Sequence, residues 1–90
     1  RRTGDCEDFA ILNYYVLKYF GFKPEIKCLR LPRYDHAVCI FYTGETWILT
    51  SNDQTIDCNT KNKIDVYVGF KALGASSIFK LTVRVNKDVE

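Results

Sequence analysis

The chain has no methionine, two prolines, one histidine and one tryptophan in 90 residues, and its four cysteines include no Cys-x-x-Cys pair. Each shortage removes a class of protein. A chain without Met does not begin at its own initiator, so it is expected to be an excised or processed piece that lacks N-terminal elements. One histidine and no close cysteine pair cannot complete the common zinc spacings. No apolar run approaches the roughly 20 residues of a membrane span, and no signal-peptide pattern is visible. Neither sign of charge dominates: 13 Lys and Arg against 11 Asp and Glu leave +2. That balance gives no footprint for nucleic acid or for a membrane surface, and Arg30 and Arg33 are expected to be a solvated strand end. There is no internal repeat and no low-complexity segment. What remains is an ordinary globular composition, 47% hydrophobic and 27% charged, which makes residues 1–90 a single domain near the lower size limit for a self-sufficient core.

The pattern of apolar residues predicts one helix followed by strands. The helix is expected from about Cys6 to Phe20, with Asp5 as N-cap, Asp8 three residues later in a capping-box position, and Gly21 as the C′ stop. Its interior is apolar nearly all round, with only Asn13 and Lys18 as polar interruptions, so burial all round is expected. Strands are predicted at Glu25 to Leu31, His36 to Tyr42, Trp47 to Ser51, Ile64 to Phe70 and Ser77 to Val85. His36 to Tyr42 is a continuous apolar run, as in a central strand buried on both faces. Asn52-Asp53-Gln54 and Lys61-Asn62-Lys63 are expected as loops or strand ends, and Leu73-Gly74-Ala75 as the link between the last two strands. A helix and then an antiparallel sheet is an α+β layout. Cys28 and Cys39 are expected as free buried thiols, with a Cys28–Cys39 bridge as the alternative. The cysteines do not by themselves fix a redox compartment.

Cys6 and His36 form the pattern with chemical content. A thiol in the first turn of a helix is stabilised as thiolate by the positive end of the helix dipole, and a histidine within reach acts as base and then as acid. Thr43-Gly44-Glu45-Thr46 predicts a two-residue hairpin loop with Gly44 first, as a type II′ turn requires. That register sets Thr43 opposite Thr46 and, carried on, His36 opposite Asp53. Directly opposed side chains share a face, so Asp53 is the candidate to orient the imidazole. A three-residue loop substitutes Asn52 or Gln54, and Asn52 is the fallback. Asp5, Glu7 and Asp8 crowd carboxylates around Cys6 and oppose thiolate formation. A hard cation, Ca²⁺, would balance them; the alternative is that Asp5 caps the helix while Glu7 and Asp8 complement its dipole.

Gly4-Asp5-Cys6-Glu7-Asp8-Phe9-Ala10, then His36-Ala37-Val38, then a strand carrying Trp47, resembles the transglutaminase-like superfamily over roughly residues 2–70. The nearest resemblance is to the bacterial transglutaminase-like cysteine proteinases. It implies a papain-like core, with the cysteine on a helix packed against an antiparallel sheet, Cys6 as nucleophile and His36 as base. The family's acidic third member follows the tryptophan by about four residues, a place held here by Ser51. An oxyanion donor upstream of the nucleophile falls outside this chain, leaving the Cys6 N–H. The resemblance further implies amide hydrolysis on a protein or peptide by a Cys-His-Asp triad with no required cofactor. Calcium dependence through this acidic run occurs in some members. Protein crosslinking and a non-catalytic binding module on a degenerate fold are the alternatives. Bacterial periplasm, cell envelope and cytoplasm all fit.

Overall fold

The computed structural model describes the backbone of residues 3–52 and 54–81 and the side chains of residues 7–52 and 54–80. Helix α1 (Thr3–Tyr19) precedes strands β1 (Glu25–Arg30), β2 (Asp35–Tyr42), β3 (Trp47–Ser51) and β4 (Gln54–Asp57), then helix α2 (Lys63–Ala72) and strand β5 (Ser77–Leu81). The five strands form one sheet in the order β4-β3-β2-β1-β5, antiparallel at every pairing. The chain is thus α+β, with its N-terminal helix packed on an antiparallel sheet.

The central strand is the expected one. Ala37, Val38, Cys39, Ile40 and Phe41 of β2 are all buried, because helices cover both faces of the sheet. Pairing of Ile26 with Cys39, Cys28 with Ala37 and Leu29 with His36 sorts the residues by face, since opposed residues share a face and successive ones alternate. Ile26, Cys28 and Ala37 meet Ala10, Ile11 and Tyr14 of α1. Leu29, Val38 and Ile40 meet Val66 and Phe70 of α2 and Ala75 beyond it.

Three expectations about α1 are settled differently. Its helical backbone starts at Thr3, so Asp5 is a first-turn residue rather than the N-cap, and Cys6 closes the first turn instead of opening it. Nothing in Thr-Gly-Asp blocks an earlier start, and a first-turn carboxylate suits the dipole. Burial is one-sided: Ala10 is buried, while Leu12, Tyr15, Val16 and Tyr19 are exposed. One sheet face offers one contact surface, and α2 takes the other face. The stop at Gly21 is as predicted. Its φ is +95°, its N–H donates to the Lys18 carbonyl, and the Phe22 N–H donates to the Leu17 carbonyl, the paired bonds of a Schellman motif.

Ile64 to Phe70 is a helix, not a strand. The Asn62 side chain accepts from the Ile64 N–H and caps it, and Asp65 sits in its first turn. A second Schellman closure follows, with the Gly74 N–H on the Lys71 carbonyl and the Ala75 N–H on the Phe70 carbonyl. The fourth strand of the meander is instead β4, four exposed residues beginning at Gln54, a strand the sequence had not shown. Cys28, Cys39 and Cys58 are free thiols, so the Cys28–Cys39 bridge is absent. Residues 82–85, expected at the end of the last strand, lie outside the described residues.

Candidate active site

The predicted hairpin register holds. Tyr42 pairs with Trp47 and Cys39 with Thr50, and Gly44 takes φ +103°. The Thr43 N–H donates to the Thr46 carbonyl at 3.0 Å, and the Thr43 hydroxyl oxygen accepts from the N–H groups of Glu45 and Thr46 at 3.2 Å each. One step further along the same register sets Ser51 opposite Val38, two residues from His36.

There β3 ends. Ser51 also pairs with Gln54 of β4, so the chain turns back immediately after Ser51, and Asn52 has φ +55°. Asp53 itself lies outside the described residues. His36 Nε2 stands 2.8 Å from the Ser51 hydroxyl oxygen. This is a diagonal contact across the β2–β3 pair, within reach of a long side chain on a shared face. Asn52, the fallback, is exposed, and its carbonyl accepts from Asn13 Nδ2 at 3.4 Å.

His36 is half-buried. Burial lowers its pKa below the ordinary 6.5, which favours the neutral imidazole that a general base needs at pH 7. The Tyr34 ring meets the imidazole edge to face, with centroids 6.0 Å apart.

Cys6 lies in the first turn of α1, and its side chain lies outside the described residues. Ala10, four residues on from Cys6, packs with Ala37, whose strand neighbour His36 takes the opposite sheet face. Cys28, which pairs with Ala37, has its thiol pKa pushed up by burial, with the Glu7 and Asp35 carboxylates adding to it. Asn13 Nδ2 donates to the Thr50 hydroxyl oxygen at 3.1 Å, and that hydroxyl donates to the Cys39 carbonyl at 3.3 Å. Asn13 thus ties α1 to β3 one residue before Ser51.

Ser51 stands where the family spacing expects the acidic third member, and Asn13 was noted in the sequence only as a polar interruption of the helix. Asn13 carried a signal, being a polar residue seven positions after Cys6 in an apolar helix. Of the proposed calcium ligands, Asp5 has its side chain outside the described residues, while Glu7 and Asp8 are exposed. No three His, Cys, Asp or Glu groups converge among the described residues. Glu7 and Asp8 alone fall short of the six to eight oxygens calcium prefers, so no step is routed through a metal.

A separate cavity of about 430 Å³ opens between Phe22, Tyr42 and Trp47, at the end of β2 remote from His36. No helix of the described residues is long and apolar enough to cross a membrane. No protein-family model, no curated protein and no solved structure matches this chain.

Proposed function

We propose that this domain is a thiol acyl-transfer unit of the transglutaminase-like, papain-like type, and that it hydrolyses an amide bond in a peptide or protein. The observation that carries the reading is a helix stripe. Cys6, Ala10 and Asn13 are spaced four and three residues apart, which is one face of a helix. Ala10 packs on Ala37 and Asn13 bonds to Thr50, so the stripe that begins at Cys6 lies at the end of β2 and β3 that carries His36, while strand alternation gives Ala37 and Thr50 the sheet face opposite to the His36 side chain.

The chemistry follows from the groups. The Cys6 sulfur bonds to the amide carbonyl carbon as His36 takes the thiol proton. The tetrahedral species collapses when His36 gives that proton to the departing nitrogen and the C–N bond breaks, leaving a thioester. Water then attacks the thioester carbonyl, with His36 accepting its proton and returning it to the sulfur. An amine in place of water gives crosslinking by the same steps. One observation favours a binding module instead: a hydroxyl, Ser51, meets His36 at the place where the resembled enzymes carry a carboxylate.

Competitive alkylation with iodoacetamide at pH 6–7, followed by peptide mass mapping, separates the two. The expected result is that Cys6 alkylates faster than free cysteine and well ahead of the other three. Burial pushes the Cys28, Cys39 and Cys58 thiols up, Cys39 to about 11, and a thiol held protonated is a poor nucleophile. First labelling at any of those three refutes the nucleophile assignment. A Cys6 no faster than free cysteine leaves the binding module.

A further inference from the structure

Helix α1 is apolar on more sides than the sheet can cover. Ala10 is buried against the sheet, while Phe9, Leu12, Tyr15, Val16, Tyr19 and Phe20 are exposed. Six large apolar side chains on one helix go beyond the scattered exposure that is ordinary for a surface. We propose that this face is an interface between two copies of the chain, with their α1 helices packed antiparallel about a two-fold axis. The inference is independent of the acyl-transfer reading.

Spacing defines the face. Asp8, Leu12, Tyr15 and Tyr19 stand four, three and four residues apart, the seam of a helix pair. Ala10 and Tyr14, which pack on the sheet, lie on the other side of the helix, so pairing along the seam leaves those contacts intact. Phe9, Val16 and Phe20 make one flank of the seam apolar. Glu7 and Lys18 occupy the other flank, near opposite ends of the helix. Eleven residues separate them, close to three full turns of 3.6 residues. Their contacts agree with this placement: Glu7 acts on the Cys28 thiol, Lys18 Nζ stands 5.8 Å from the Tyr14 ring centroid, and Cys28 and Tyr14 belong to one core cluster.

The charges fit a second copy of the same face. A two-fold axis across the middle of the seam turns one α1 end for end and brings like flank to like flank. Leu12 then meets Tyr15 of the second copy, and Lys18 meets Glu7 and Asp8 of the second copy, twice over. Opposed helix dipoles favour the same arrangement, whereas a parallel pair would gather the like-charged ends together. The size fits as well. At about 150–250 Å² per aromatic side chain, the exposed shares of Phe9 (39%), Tyr15 (45%), Tyr19 (85%) and Phe20 (69%) leave roughly 350–600 Å² of ring surface on each copy. Two copies, with Leu12 and Val16 added, bring together about 1,000 Å², the mark that a specific interface clears.

Sedimentation velocity on the chain and its variants is the test. The expected species is a dimer of the 10.5 kDa chain at micromolar concentration. Leu12→Glu is expected to yield a monomer. The double variant Glu7→Lys/Asp8→Lys and the single variant Lys18→Asp are each expected to weaken the dimer about tenfold or more, through like charges brought together. Mixed in equal amounts, these two are expected to form a hybrid dimer as tight as the natural one, because each supplies the charge that the other lacks. Circular dichroism checks that each variant is folded. All four substituted positions are exposed, and Leu12→Glu and Lys18→Asp decide the matter if the double variant does not fold. A chain that stays monomeric up to about 100 μM, above the range in which interfaces of this class form, overturns the proposal and leaves the face to another segment or another protein. A dimer indifferent to Leu12→Glu uses a different surface and overturns it too. Charge variants that weaken the dimer without recovery on mixing overturn the antiparallel pairing.

Discussion

At the scale of single residues, His36 links chemistry to stability. Its pKa is lowered in the fold by burial, while in the unfolded chain it returns to about 6.5. Between those two values the unfolded chain binds more protons than the folded one, so stability falls as pH falls through that window. Denaturant unfolding at pH 7.0 and pH 5.0 is expected to show the folded state weakened at the lower pH, and His36→Gln to remove part of that difference. Glu25 adds its own loss at lower pH: burial raises its carboxyl, but Lys63 and Lys27 outweigh this and hold it below 4.5. Cys6 and His36 stood out in the sequence as candidates because their residue types are scarce and chemically loud, and the side chain of Cys6 lies outside the described residues. Ser51 was marked only by the family spacing after Trp47. In Thr-Ser-Asn-Asp it looks like turn material, and its contact with His36 depends on where β3 stops, which is decided by the next strand and not by the hairpin before it.

Among the elements, α2 shows how one segment satisfies two periods. Ile64, Val66, Val68 and Phe70 alternate as a strand does, yet Val66 and Phe70 are the buried pair while Ile64 and Val68 are 64% and 59% exposed. Spacing of four residues, not two, selects what is buried. The Asn62 cap tips the balance by satisfying a first-turn N–H. Asn62→Ala is expected to cost about 1 kcal/mol, lowering the thermal midpoint by roughly 4–8 °C for a domain of this size, as followed by circular dichroism. The parts of the fold that could be derived beforehand, β1, β2, β3 and the end of α1, have local causes: flanking prolines, a continuous apolar run, a Gly-bearing loop and a C′ glycine. The parts that could not, α2 and β4, depend on tertiary choice. β4 has no buried residue, so hydrophobic alternation had nothing to signal.

For the molecule as a whole, the sheet is a local meander from β1 to β4, with β5 returned beside β1 by way of α2. The return is fastened by charge: Lys63 Nζ donates to both Glu25 carboxylate oxygens at 2.7 Å, and buried Lys27 reaches the same carboxylate at 3.1 Å. The meander is fastened by its turns, and one of them governs a side-chain contact at a distance. Trp47, where β3 leaves the Gly44–Glu45 loop, is four residues from Ser51, roughly 14 Å along a strand. A slip of one residue reverses the face of every side chain on β3. Inserting one glycine after Gly44 is therefore expected to shift the His36 ring signals in an NMR spectrum, because the Ser51 hydroxyl leaves the face that it shares with His36; unchanged signals would show that strand pairing alone keeps the register. Nothing crowds Gly44; only its φ of +103° constrains it. The contact between Ser51 and His36 is thus calibrated like an instrument whose zero is set at the far end of its scale, and an exposed glycine that touches neither residue is as exacting a position as the histidine itself.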